Sequence, residues 1–319
     1  MQMFSPLRIG TRESPLALAQ TRQVRERLAA FHPSLAMPGT IVEVPIRTRG
    51  DILLDRSLAE VGGKGLFTKE IDEALLRGTI DLAVHSMKDV QTVLPAGLIL
   101  AAVLERADPR DAFVSLRAPS LAALPAGAVV GTASLRRGAQ VRLYRPDLKV
   151  VPLRGNVQTR LRKLADGLVD ATLLAMAGLH RLGLAEQATA ILPVEVMLPA
   201  VAQGAIGIVC RADDERTCRD LKPLDHAPTA LCVAAERAFL AVLDGNCRTP
   251  IAGLAELTET GTGENPGGAQ VRFRGLVVGP DRIPFTVERR GPAGQAVPLA
   301  EDAGQVLLAR AAPVLKAGG

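Results

Sequence analysis

One short pattern occurs twice in this chain. Arg8-Ile9-Gly10-Thr11-Arg12-Glu13-Ser14 leads from an apolar segment through Gly-Thr to a serine placed to open a helix. Val129-Val130-Gly131-Thr132-Ala133-Ser134 repeats that order. Each copy is followed by a second echo, Gly78-Thr79-Ile80-Asp81 and then Gly167-Leu168-Val169-Asp170, which runs into an apolar strand. Repeated strand–helix–strand units imply two related α/β lobes, each burying its strands beneath its own helices. Two doubly wound lobes of this kind are expected to enclose a cleft.

The first copy continues into Ile80–Val90, IDLAVHSMKDV. Ile80–Val84 reads as an interior strand of a parallel sheet. His85, Ser86, Met87, Lys88 and Asp89 then form the polar turn beyond it, where ligands of open α/β sheets bind. A cation beside an acid in that position can hold an anionic substrate and move a proton. A solvated charged loop has the same composition, so both readings stand on the residues alone.

In chain order, Leu7–Thr11 reads as a strand and Ser14-Pro15 as a helix start, with Ser as N-cap and Pro in the first turn. Ala17, Thr21, Val24, Leu28 and Phe31 follow at helical spacing. Arg12 and Ser14 therefore lie at a helix N-terminus, which attracts anions. Ile41–Thr48 is a second strand. Gly62-Gly63-Lys64-Gly65 is too short and wrongly spaced for a nucleotide P-loop and reads as a mobile loop carrying Lys64 over the cleft. A helix over Thr68–Arg77 ends at Gly78, and Leu98–Leu104 is a further strand. The charged, Pro-bearing run Glu105–Asp111 reads as a crossover.

The second lobe carries arginines at element ends. Arg136 and Arg137 occupy the first turn after Ser134, the wrong end of the helix dipole for a cation unless an anion sits there. Arg154-Gly155-Asn156 follows a strand, Arg160 lies one turn into the next helix, and Arg181 follows another strand. Scattered solvated arginines are the plain alternative. A set sharing one side of a sheet suits carboxylate recognition, with roughly 1.5–3 kcal/mol for each charge-assisted bond. Leu198–Gly204 returns the chain, and Ala205–Cys210 is an apolar strand expected to rejoin the first lobe.

Four cysteines, Cys210, Cys218, Cys232 and Cys247, form no CxxC pair, so no metal site is expected. Cys210 and Cys232 read as packing residues, and Cys218 has no evident role. Cys247 follows a long helix within Asp244-Gly245-Asn246-Cys247-Arg248, where Arg248 favours thiolate. It is either a nucleophile or a small residue in a turn. From Ile251 three strands and an amphipathic helix describe a small α+β domain with an antiparallel sheet. The expected domains are 1–104 with 200–224, then 105–199, then 225–319.

The chain has 319 residues and a formal charge of +5, which favours an anionic partner. Aromatic residues make up 3% and Trp is absent, against a stacking surface for single-stranded nucleic acid. No uncharged run reaches the roughly 18 residues of a membrane span. MQMFSPLRIG lacks the apolar core of a signal peptide, so a cytoplasmic location is expected.

The residues now on the page resemble the porphobilinogen deaminase (hydroxymethylbilane synthase) family of tetrapyrrole, and hence haem, biosynthesis. The matching motifs are IGTRESPLA (9–17), VGGKGLFTKE (61–70), DLAVHSMKD (81–89), GTASLRR (131–137), LRGNVQTR (153–160), AGLHRLG (177–183), LPAVAQGAIGI (198–208) and GNCRTPIAG (245–253). The resemblance implies a transferase of periplasmic-binding-protein-like fold, monomeric, with no nucleic-acid or membrane partner. It implies a dipyrromethane cofactor attached through Cys247, onto which four porphobilinogen units are added head to tail with loss of ammonia before water releases hydroxymethylbilane. It makes Asp89 the catalytic carboxylate, contacting pyrrole N–H groups and stabilising the positive charge that forms as ammonia leaves. By the same carry-over the cofactor is held by Ser86, Lys88, Asp89, Thr132, Ser134, Arg136, Arg137, Arg154, Gly155 and Arg160. The substrate side takes Arg12, Ser14, Lys64, Arg181, Gln203 and Gly204.

Four residues depart from the family pattern: Glu60 where a basic residue is frequent, Asn246 and Ala202 where Gly is, and Ala133 where Ser is. Two other classes fit parts of the sequence. Solute-binding proteins share the two-lobe design but are exported, and a basic nucleic-acid binder would show steep salt dependence.

Overall fold

The computed structural model describes residues 6–52, 65–243, 250–258, 268–279 and 282–315. The described residues up to 107, with 205–230, form one compact unit, and 108–204 with the described residues from 231 onward form another.

The first unit is built on β1 (Leu7–Arg12), β2 (Ile41–Ile46), β3 (Leu82–Ser86), β4 (Leu98–Val103) and β10 (Ile206–Arg211), with α1 (Pro15–Phe31), α2 (Lys69–Leu76) and, later in the chain, α6 (Glu215–Leu221). The second holds β5 (Asp111–Ser115), β6 (Val129–Gly131), β7 (Lys149–Val151), β8 (Ala171–Ala175) and β9 (Ala190–Ile191), with α3 (Leu135–Tyr144), α4 (Val157–Ala165) and α5 (Met176–Arg181). Their sheets run β2-β1-β3-β10-β4 and β7-β6-β8-β5-β9. In each the first three strands are parallel and the fourth is antiparallel to both of its neighbours. The expected pair of α/β lobes is therefore present, but the sheets are mixed rather than parallel. Ala205–Cys210 rejoins the first sheet as expected, entering as β10.

The repeated motif has a physical cause at both ends. A Cβ at Gly10 would lie 2.2 Å from Ile80 Cδ1, and one at Gly131 would lie 2.8 Å from Leu153 Cβ. Glycine lets another element close onto the strand at both places. Asp81 and Asp170 bracket the parallel strand pairs. The Asp81 carboxylate accepts from Arg8 N at 2.8 Å and the Asp170 carboxylate from Val129 N at 2.8 Å. In return Asp81 N donates to Arg8 O and Asp170 N to Val129 O.

Ser14, Ser134 and Asn156 cap α1, α3 and α4, their side chains accepting from Ala17 N, Arg137 N and Thr159 N. Gly78 ends the turn after α2 at φ +68°, as expected. Ile9, Val24, Leu28, Leu82, Ile208 and Leu221 are buried in one core of the first unit, and Phe113, Val130, Val141, Ala171 and Leu173 in one core of the second. Burying each of the larger side chains contributes about 2 kcal/mol.

Two expectations are corrected. The segment 105–111 is not wholly a crossover, because Asp111 begins β5, whose Ala112, Phe113 and Val114 are buried. The opening strand starts and ends two residues later than its composition suggests. His85 and Ser86 lie in β3, paired with Gly207 and Ile206, and the polar turn is confined to Met87–Asp89.

The C-terminal part of the second unit comprises α7 (Ala227–Val242, which begins in the first unit's stretch), β11 (Ile251–Thr258), β12 (Gln270–Val278), β13 (Pro284–Pro292) and α8 (Ala296–Leu315). Its antiparallel sheet runs β11-β12-β13. Leu198, Ala252, Leu254, Leu276 and Val278 pack with Ala139 and Leu143 of α3. The fully buried Glu236 of α7 joins this region to the return segment, accepting from Ala202 N at 2.5 Å and Ala255 N at 2.8 Å.

Ala202 holds φ +57° with its side chain fully buried. That left-handed conformation costs an alanine about 1 kcal/mol more than a glycine. The structure thus explains why glycine suits this position. Ala202→Gly is expected to raise the unfolding free energy by up to about 1 kcal/mol, read as a higher denaturant midpoint at unchanged m-value.

Candidate active site

The predicted site residues fall into two clusters, one in each unit. Lys64 and Cys247, like Glu60 and Asn246, lie outside the described residues.

In the first unit the end of β3 delivers Ser86, Lys88 and Asp89, and the end of β1 delivers Arg12 and Ser14. Arg12 Nη1 is 3.9 Å from Asp89 Oδ2, at the outer limit of an ion pair, with the side chains 22% and 33% exposed. The Arg12 guanidinium also stands 4.3 Å from the centroid of the Phe67 ring. This cation–π contact is worth about 0.5–2 kcal/mol and limits where the guanidinium can point. Ser86 is held by Gln20 of α1, whose Nε2 donates to Ser86 Oγ at 2.8 Å. Lys88 is exposed. The cluster therefore presents a partly exposed carboxylate beside Arg12, with Ser86 and the exposed Lys88 from the same strand end.

His85 precedes Ser86 on β3. It is buried, and its Nε2 has no hydrogen-bond partner among the described residues. Burial first, and the Arg12 charge second, push its imidazole down from 6.5 to about 4.

In the second unit α3 begins with Arg136 and Arg137, 6% and 5% exposed, against the fully buried Asp111 of β5. Arg137 donates from Nε (3.1 Å) and Nη2 (2.7 Å) to Asp111 Oδ1, and from Nη1 to Leu173 O (3.0 Å). Arg136 Nη2 lies 2.8 Å from Asp111 Oδ2, within ion-pair reach though outside hydrogen-bond geometry, and its Nη1 donates to Leu198 O at 2.7 Å. Gln203 Nε2 donates to Asp111 Oδ1 at 2.9 Å and to Pro109 O at 2.7 Å. Burial alone would raise the Asp111 carboxyl. The two guanidinia and the hydrogen bonds outweigh it and hold the carboxyl well below the usual range. Burial lowers the Arg136 guanidinium despite Asp111.

Around this trio, Thr132 Oγ1 accepts from Ser134 N at 3.1 Å. Gly155, at φ +115°, lets the chain turn so that its carbonyl accepts from Arg160 Nε at 2.8 Å. Arg154 is half-buried just before it. Arg181 Nη2 donates to Gly204 O at 2.6 Å, and burial lowers its guanidinium to about 10. Gly204 itself holds φ +91°.

Reading the sequence missed Gln20, Phe67 and Asp111. Gln20 was legible as a polar residue on the apolar stripe Ala17, Thr21, Val24. Asp111 had a signal too, an acid opening the apolar run Ala112–Val114. Phe67 carried none beyond its place in a matched motif.

Two family models match the chain. One, described as "Porphobilinogen deaminase, dipyromethane cofactor binding domain", covers residues 7–219, and one described as "Porphobilinogen deaminase, C-terminal domain" covers 230–310. The chain belongs to the porphobilinogen deaminase family. A chloroplastic porphobilinogen deaminase of Oryza sativa subsp. japonica is 56% identical over 97% of this chain and 85% of that protein. Porphobilinogen deaminases of Nitrobacter hamburgensis and Paracoccus denitrificans are 54% and 52% identical, over 95% and 96% of this chain and 93% and 95% of theirs. Among solved structures, a periplasmic substrate-binding protein of an ABC transporter from Coxiella burnetii is 16% identical and covers 72% of this chain and 96% of that one. Its TM-score of 0.43 is too low to bear on fold or function.

The residues of the family's cofactor domain fit a polycarboxylate. Arg136 and Arg137 bring two positive charges to one buried carboxylate, and no carboxylate among the described residues pairs with Arg181. Uncompensated charge of this kind is costly in a buried place and is relieved by a bound anion. Among the described residues no helix is long and apolar enough to cross a membrane.

The titration of His85 gives a checkable consequence. With its folded value near 4 and its unfolded value near 6.5, the unfolded chain binds more protons between those pH values. Stability therefore rises with pH across that window, and falls by about 3 kcal/mol on acidification from 6.5 to 4. Denaturant unfolding at pH 6.5 and pH 4 is expected to show this loss in the wild type relative to His85→Leu.

Proposed function

We propose that this chain is a hydroxymethylbilane synthase, a transferase that joins four porphobilinogen units head to tail with loss of ammonia and releases the linear product by hydrolysis. The observation that carries the reading is the match of both family domains along nearly the whole chain. When bound, the dipyrromethane supplies the pyrrole carbon to which the first unit is joined. We assign its attachment to Cys247.

Asp89 is assigned the chemistry. Its carboxylate accepts pyrrole N–H groups and offsets the positive charge that develops as ammonia leaves the substrate. Partial exposure leaves it able to reach a ligand, and Arg12 stands beside it at 3.9 Å. Ser86 and Lys88, carried on the same strand end, are assigned to ligand carboxylates, with Gln20 fixing the Ser86 hydroxyl. Arg136, Arg137, Arg154 and Arg160, with Thr132, Ser134 and Gly155, are assigned to the cofactor's acidic side arms. Arg12, Ser14, Lys64, Arg181, Gln203 and Gly204 are assigned to the incoming unit. A planar guanidinium grips a carboxylate through two parallel N–H groups, which suits a ligand bearing an acetate and a propionate on every ring. We assign the enzyme to the cytoplasm as a monomer.

Intact-mass measurement of the purified protein is expected to exceed the sequence mass by one dipyrromethane, and Cys247→Ser to remove the excess. A wild type at the bare sequence mass would sink the reading. Asp89→Asn is expected to keep the thermal midpoint and the adduct while turnover falls by about a hundredfold or more, the usual size for losing a charge-stabilising group.

A further inference from the structure

Asp111 stands outside every motif quoted for the family. Yet it organises the arginine pair. Its Oδ1 receives two bonds from Arg137 and one from Gln203, and its Oδ2 faces Arg136 at 2.8 Å. All four side chains are nearly or wholly buried. Each arginine is also tied to a carbonyl, Arg136 to Leu198 and Arg137 to Leu173. Arg137 thus commits three of its five N–H groups, which fixes the plane of its guanidinium.

The charge count matters as much as the geometry. Two guanidinia sit at the N-terminal turn of α3, where the helix dipole already favours anions. With no acid beside them they would repel each other in a buried place. With a second acid they would be neutral and would attract no ligand. One acid leaves a single positive charge in surplus.

We propose that Asp111 is a positioning residue, which orients Arg136 and Arg137 and cancels one of their charges so that they present one net positive charge to a carboxylate of the cofactor. The inference rests on the function proposed above and adds a residue to it.

The test uses full-length protein. Intact mass gives the share of molecules carrying the adduct in the wild type, Asp111→Asn, Arg137→Met and the double variant. Circular dichroism and thermal unfolding check the fold. Asp111→Asn is expected to fold but to lower the loaded share by about tenfold or more, the scale of a lost charge-assisted bond set. The porphobilinogen concentration needed to load the apo-protein is expected to rise as well, which a loss of stability alone would not produce. Because Asp111 acts through the arginines and its removal returns one net positive charge to the Arg137→Met cluster, Asp111→Asn is expected to cause no further loss in that background.

Equal loading of Asp111→Asn and wild type, or losses that multiply in the double variant, would overturn the inference and leave the function standing. A wild type without adduct would overturn both. If Asp111→Asn does not fold, the double variant, which lacks one charge of each sign and so keeps one net positive charge, decides: loading at or above the Arg137→Met level supports the proposal, and loading below that level defeats it.

Discussion

A carboxylate with no access to water and two guanidinia against it is the constraint on which the second unit depends. Asp111 opens β5, Arg136 and Arg137 open α3, Leu173 belongs to β8, and Gln203 belongs to the return segment. One ionic cluster thereby ties together two strands, a helix start and the segment that leads back to the first sheet. Buried ion pairs are weak evidence for stability, because desolvation offsets most of the attraction. Removing one partner is a different matter, since it strands a charge where water cannot reach. The cluster therefore specifies an arrangement more than it adds to folding energy, and the arrangement holds two guanidinia against a single carboxylate.

The two lobes show how one design is reused with different content. Both place glycine where a neighbouring element closes on the first strand, and both pin that strand with an aspartate at the foot of the third. Asp81 and Asp170 make matching pairs of bonds to Arg8 and Val129. What differs is the polar group at the far ends. The first lobe ends β3 in Ser86, Lys88 and Asp89, while the second is dominated by arginine. The side chains differ accordingly: a partly exposed carboxylate in the first lobe, and mainly guanidinia in the second.

Much of this was legible because local rules and tertiary packing agree. Ser14, Ser134 and Asn156 cap helices as their types demand, and Gly78 turns left-handed after α2. Alternation and apolar runs located most strands. The misses share a cause. His85 and Ser86 look polar and so seemed to end a strand, yet backbone pairing with Gly207 and Ile206 carries β3 through them. Asp111 looked like part of a charged connection, since nothing near it in sequence announces the arginines that neutralise it. Cys218, without a role in the sequence, lies 3.6 Å from Cys210 beside the first core.

By itself the sequence determined the repeated strand–glycine–threonine unit, the helix starts, the family and the residue types offered to an acidic ligand. All of these depend on interactions within a few residues or on motifs read along the chain. The tertiary structure decided the mixed direction of the sheets, the left-handed backbone of Ala202 clamped by Glu236, the pairing of Gln20 with Ser86 and the burial of Asp111 between two arginines. Each of those depends on groups far apart in sequence, whose charges and hydrogen bonds meet once the strands have found their order.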